Sequence, residues 1–156
     1  MKRIVLFLTT HTVAVAIGFA LGIYLLPILT APSSPDQAKL EEMAQSATFT
    51  ADFTRDLRGS DFLHWGEGTI SITDTHIVHE GKLAPGPDYM LYLVPDFVDH
   101  EDTFNPVKAQ SISLGSIKTF DGFILDIPAD VDVTQYSTVV VWCEAFGEFI
   151  TAAQYN

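Results

Sequence analysis

Cys143 stands in the stretch "STVVVWCEAFGEFITAAQ" (137–154) and is the only cysteine in the chain. A thiol can be a nucleophile, a metal or haem ligand, a redox group or a small apolar packing residue. With no second cysteine, an internal disulfide is excluded. In an oxidising compartment a free thiol is buried, lost or kept for chemistry. Beyond position 30 the imidazoles are His64, His76, His79 and His100. His76-x-x-His79 reads as part of a strand, where residues three apart face opposite sides, so the pair is a poor metal chelate. The C-x-x-C-H needed to attach a c-type haem is absent. A haem held non-covalently by a Cys or His axial ligand is compatible with these residues, and spacing does not specify it. Cys143 is the candidate redox or cofactor-ligating residue, and His64 is the candidate second ligand across a cavity. No metal site is assigned.

"PDFVDHEDTFNP" (95–106) gathers Asp96, Asp99, His100, Glu101 and Asp102. Calcium would accept such oxygens, but the spacing lacks the D-x-[DN]-x-[DN]-G core of an EF-hand. The stretch reads as a solvated acidic loop. There is no G-x-S-x-G, no phosphate loop and no carboxylate pair singled out by position. Hydrolase and transferase chemistry therefore has no visible motif.

The elements that must position Cys143 follow a period of two. "TFTADF" (48–53), "GTISIT" (68–73), "THIVHE" (75–80), "DYMLYLV" (88–94), "SISLGSIK" (111–118), "GFILDIP" (122–128), "STVVVWCEAF" (137–146) and "EFITAAQY" (148–155) are short and rich in β-formers. Turn residues separate them. This spacing predicts an all-β antiparallel sandwich of seven to eight short strands, with no helical pattern between strands. Alternation puts Val139, Val141, Cys143 and Ala145 on one apolar, core-facing side. Val140, Trp142, Glu144 and Phe146 take the other. Glu144 then points away from the thiol and is badly placed to be its base.

Ahead of the strands, residues 4–29, "IVLFLTTHTVAVAIGFALGIYLLPIL", carry no charge. The run exceeds the roughly 20 residues that cross a bilayer as a helix and the roughly 7–15 of a cleavable signal's apolar region. An uncleaved signal anchor over residues 1–30 is the expectation, with a cleaved signal as the rival. Lys2 and Arg3 leave the N-terminus cytoplasmic and residues 31–156 periplasmic or extracellular. Ala14, Gly18 and Gly22 lie at the four-residue spacing that lets two membrane helices pack as a dimer. His11, among threonines, is an ionisable group inside the apolar run. Residues 31–47 read as a Pro/Ser linker and a short helical spacer, with Ser34 capping, Pro35 in the first turn and Gln37 closing a capping box. Residues 48–156 form the domain.

Residues 30–156 hold six Lys and Arg against all twenty Asp and Glu, a net charge of −14. Such a surface repels phosphate backbones and anionic lipid, which excludes nucleic-acid binding. Divalent cations or basic proteins suit it.

Several motifs resemble the DM-thirteen domain family, described as electron-transfer. "VVVWCEAFGEFITAAQ" is similar to its closing V-V-[VI]-W-C-x-x-F motif and final strand, through Val139, Val140, Val141, Trp142, Cys143, Phe146 and Ala153. "HWGEGTISI" (64–72) resembles its H-x-x-x-G-x-[VI]-x-[IV] segment through His64, Gly68 and Ile70. "PGPDYMLYL" (85–93) resembles its G-P-D strand. "LGSIKTFDGFILDIPADVDVTQYSTVV" (114–140) matches a further run through Leu114, Gly115, Lys118, Gly122 and Pro128. Leu125 or Asp126 departs from it, standing where an aromatic often precedes the proline. The resemblance covers residues 48–156. It implies a β-sandwich attached to membrane or extracellular modules, and a redox role for Cys143 as a bare thiol or as a ligand to haem or another prosthetic group, with a redox partner protein. A non-catalytic binding or adhesion module, in which Cys143 only packs, is the alternative.

Overall fold

The computed structural model describes residues 1–156. Helix α1 (Lys2–Thr30) is followed by α2 (Gln37–Ala44) and eight strands: β1 (Phe49–Phe53), β2 (Gly66–Ile72), β3 (His76–Leu83), β4 (Tyr89–Val94), β5 (Ile112–Ile117), β6 (Phe123–Asp126), β7 (Thr138–Cys143) and β8 (Glu148–Gln154). One sheet runs β1-β2-β3-β6 and the other β5-β4-β7-β8, and every pairing is antiparallel. The expected sandwich of short strands is the observed fold.

Period-two patterning explains the layer between the sheets. Ile70, Ile72, Ile77, Leu91, Leu93, Val139, Val141, Cys143 and Ile150 point into it and are buried. The outer face of the second sheet is covered as well. Tyr92, Val140, Trp142 and Phe149 pack there against Val98 and Phe104, supplied by the β4–β5 connection. That second layer makes every residue of β7 buried, as expected of a strand covered on both faces.

The covering connection contains one helical turn, α3 (Glu101–Phe104), inside the stretch read as an acidic loop. The His100 side chain accepts from Asp102 N and caps the turn. The expected absence of helical pattern between strands is thus qualified by this turn and by two 3-10 turns, Lys108–Gln110 and Val133–Gln135, each too short to show a 3.6-residue period. Its acids are used structurally. Arg58 pairs with Asp99 at 3.5 Å and with Asp102, and Glu101 Oε1 accepts from Phe149 N at 3.0 Å.

Two local expectations need correction. Asp36, not Ser34, caps α2, its Oδ1 accepting from Lys39 N at 2.8 Å. The capping residue lies immediately before Gln37, so Ser34 and Pro35 fall outside the helix. Strand β7 ends at Cys143, so Ala145 sits exposed in the β7–β8 turn rather than on the core face. Gly147 closes that turn at φ 70°, a region open to glycine, and its N–H returns to Cys143 O at 2.9 Å.

α1 is long and apolar enough to cross a membrane by length and composition, with mean hydropathy 2.3 and no buried residue. His11 Nδ1 meets Phe7 O at 2.8 Å, a backbone partner within the helix. The C-terminal half of α1 stands beside the sandwich. Gly18, Phe19, Gly22, Ile23 and Leu26 face Phe120, Ile117 and Phe146 across an open cleft.

Candidate functional site

Cys143 ends β7 between Tyr89 on β4 and Glu148 on β8, its register partners on either side. It is 3% exposed. The thiol donates to Pro87 O at 3.1 Å. Burial pushes the thiol up from its usual pKa, and the carboxylates of Asp88 and Glu148 add to the rise, outweighing stabilisation by the backbone of Phe146 and Ala145. Cys143 is therefore a neutral hydrogen-bond donor at physiological pH and a weak nucleophile.

A cavity of about 440 Å³ adjoins the thiol. Cys143, His64, Tyr89 and Ile150 line it, together with the Pro85–Pro87 segment, and Ala20, Ile23 and Tyr24 of α1 lie over it. The cavity falls within the volume range of small-molecule sites, with a mostly apolar wall and few polar groups. Gly86 keeps it open on one side, since a Cβ there would collide with the Tyr89 hydroxyl. Burial raises the Tyr89 phenol far above its ordinary pKa, with Cys143 a second cause, so it too is neutral.

His64 lines the same cavity as Cys143. The loop before β2 positions it. Asp61 Oδ1 accepts from Leu63 N at 2.6 Å and His64 N at 2.7 Å, while Asp61 Oδ2 meets His64 Nδ1 at 3.1 Å. Partial burial works against the Asp61 carboxylate, but these hydrogen bonds prevail and hold its pKa below the usual range. A carboxylate on Nδ1 fixes the imidazole so that Nε2 is the free nitrogen, the arrangement that orients a ligating histidine.

The fold thus brings Cys143 and His64 to one cavity and keeps the other imidazoles apart. His79 is buried between Phe53 and Phe123, with Nε2 on Glu67 O at 3.0 Å. His76 pairs with Asp126 at 3.3 Å on the opposite side of β3. Glu144 points away from the thiol, as alternation predicts, accepting from Tyr92 Oη and from Lys108 Nζ at 2.6 Å. Sequence reasoning missed Tyr89, Pro87 and Ile150. The "PGPDY" segment was the available cue, since Tyr89 pairs directly with Cys143.

The donor set does not fit a haem. The thiol is protonated and committed to Pro87 O, and thiolate is the ligating form. No Lys or Arg lines the cavity to meet propionates, whereas Glu148 does. No group of three or more His, Cys, Asp or Glu has metal-binding geometry. The wall suits a small, neutral, largely apolar molecule that accepts a hydrogen bond from a thiol or meets an imidazole.

Compared with known proteins, residues 56–155 match the family model described as Electron transfer DM13. The matched region begins after β1 and takes in the cavity's strands and both candidate residues. No curated protein and no solved structure matches the chain.

Proposed function

Because this chain belongs to the electron-transfer DM13 family, we propose that it is a membrane-anchored, outward-facing domain that exchanges electrons through a carrier held beside Cys143. Residues 1–30 are the anchor, residues 31–47 the linker and spacer helix, and residues 48–156 the redox domain. Lys2 and Arg3, the only lysine and arginine of α1, lie in its first turn and keep that end in the cytoplasm. The observation that carries the reading is the shared cavity. The chain's one thiol, which the sandwich could have sealed among valines, borders a ligand-sized space together with a carboxylate-oriented imidazole.

Within this reading Cys143 acts as a neutral donor to the carrier and not as a thiolate, since burial and the nearby acids raise its pKa. His64 offers Nε2 within the same cavity. The carrier supplies the redox couple, and the protein supplies orientation, a dry wall and a redox partner's access. A dimer through Ala14, Gly18 and Gly22 would compete with the sandwich, because Gly18 and Gly22 also face it.

A second reading has its own support. The same raised pKa and the Pro87 hydrogen bond suit a thiol that only packs, in a binding or adhesion module. Purification of the full chain in mild detergent, followed by spectra before and after dithionite, separates the two. A dithionite-sensitive band that weakens in Cys143→Ser and His64→Ala supports electron transfer. A spectrum unchanged by dithionite, from folded protein, supports the packing module.

A further inference from the structure

Beyond residue 30, the exposed large apolar residues are Phe62 at 91%, Leu63 at 49%, Phe146 at 52% and Phe97. Three of these four gather at one end of the sandwich, where β7 ends and β4 begins. Leu63 and Phe146 rim the Cys143 cavity, and Phe62 is the exposed chain neighbour of Leu63. Pro85 and Pro87 add apolar surface at the same rim. Phe62 has no structural task in the domain to explain its exposure, and loop aromatics of this kind mark interaction surfaces.

The tether selects the occupant. α1 is 29 residues long, about 43 Å at helical rise, while the hydrocarbon core takes only about 30 Å of it. Counted from Ile4, where the uncharged run begins, about 20 residues fill the core, and Tyr24–Thr30 run through the headgroup zone. Tyr24 opens that stretch, and Ala20 and Ile23, the other α1 residues over the Cys143 cavity, lie just below it. Only Ala31–Asp36 separates α1 from α2, a reach of about 20 Å at most. α2 starts beside the middle of β3, with Gln37 bonded to Glu80, and the chain reaches the end opposite the cavity at Thr48, whose N–H meets Ile72 O. A span in the membrane thus holds the cavity end nearest the lipid.

Resting on the anchoring proposed above, we infer that the Cys143 end of the sandwich docks on the lipid surface, with Phe62, Leu63 and Phe146 in the headgroup zone. The cavity then opens to the bilayer, and its ligand is a lipid-partitioning, largely apolar molecule. Charge restricts the surface to zwitterionic lipid. Asp88 and Glu148 stand at this end, Asp61 is matched only by His64, and Lys118 is the nearby cation on the α1 side. Anionic headgroups would be repelled. Phe62, Leu63 and Phe146 supply the apolar area with which interfacial binding scales.

The test uses the full chain in phosphatidylcholine vesicles, with Cys143→Ser as background and nitroxide labels at Phe62→Cys, Phe146→Cys and Asp74→Cys. Asp74 is exposed in the β2–β3 turn at the far end. The oxygen-over-nickel-chelate accessibility ratio should be several-fold higher at positions 62 and 146 than at 74. Equal, aqueous ratios at all three positions in chain that resists carbonate extraction overturn the docking while leaving the anchor intact. Chain released by carbonate overturns both. As a second readout, wild-type Cys143 in the same vesicles should react several-fold faster with a membrane-partitioning maleimide than with a sulfonated one. The reverse order overturns an opening toward the lipid.

Discussion

The Cys143 thiol donates to the carbonyl oxygen of Pro87 at 3.1 Å, tying the end of β7 to the segment that leads into β4. The bond holds the one thiol at the cavity wall in its protonated form. It also explains how a cysteine survives in an apolar strand facing a ligand-sized space.

Cys143 should be a slow thiol. Its pKa is raised, so the thiolate fraction between pH 7 and 8 is below that of a free cysteine. Labelling of folded chain by iodoacetamide in detergent should lag well behind labelling after denaturation. Cys143→Ser, which keeps a donor toward Pro87 O, should be milder than Cys143→Val, which leaves that carbonyl unpaired at a cost of about 1–3 kcal/mol.

His79 should impose an acid limit on stability. Burial lowers its pKa from 6.5 to about 4. A base depressed in the folded state leaves stability full above pH 6.5 and erodes it as pH falls toward 4, because the unfolded chain takes up the proton first. The loss from this group is about 3 kcal/mol across that window. Chemical denaturation at pH 7 and 4.5 should show a smaller drop for His79→Leu than for wild type. Equal drops would remove His79 as the cause.

Tyr92 and Glu144 should titrate as a linked pair on the outer face. Burial first, then the hydrogen bond to Glu144, pushes Tyr92 up to about 12. Burial opposes ionisation of Glu144, but the Lys108 and Tyr92 contacts win and lower its pKa. Tyr92→Phe should therefore cost about 1–2 kcal/mol at pH 7. The Glu144 part of this stabilisation is present above its unfolded pKa of about 4.5 and is lost on acidification below it. Denaturation midpoints of Tyr92→Phe and wild type at pH 7 and 3.5 check this, with the difference shrinking at the lower value.

Gly86 should be a control on the cavity. An added Cβ meets the Tyr89 hydroxyl, the ring that pairs with Cys143. Gly86→Ala should push Tyr89 toward the cavity and weaken whatever redox signal the chain carries, at a stability cost of about 1–3 kcal/mol. A signal of undiminished amplitude in folded Gly86→Ala would detach it from this cavity.

Period-two patterning made all eight strands legible, and the same alternation correctly turned Cys143 inward and Glu144 outward. The reading failed where a single local choice decided the outcome. Ala145 follows the alternation in sequence, but the turn closed by Gly147 ends β7 two residues earlier. Asp36 and Ser34 are both good caps, and only the actual helix start chooses between them. The turn α3 is shorter than one amphipathic repeat. The cavity was least legible of all, because His64, Tyr89, Cys143 and Tyr24 come from four elements that no local period connects.

Protein-film voltammetry of the full chain, adsorbed from detergent with its co-purified contents, tests electron transfer at the Cys143 cavity most directly. The account predicts a reversible wave in wild type that is lost or shifted in Cys143→Ser and His64→Ala and survives in Asp74→Ser at the far end. A wave indifferent to both cavity substitutions, or no wave from folded wild-type chain, would contradict it.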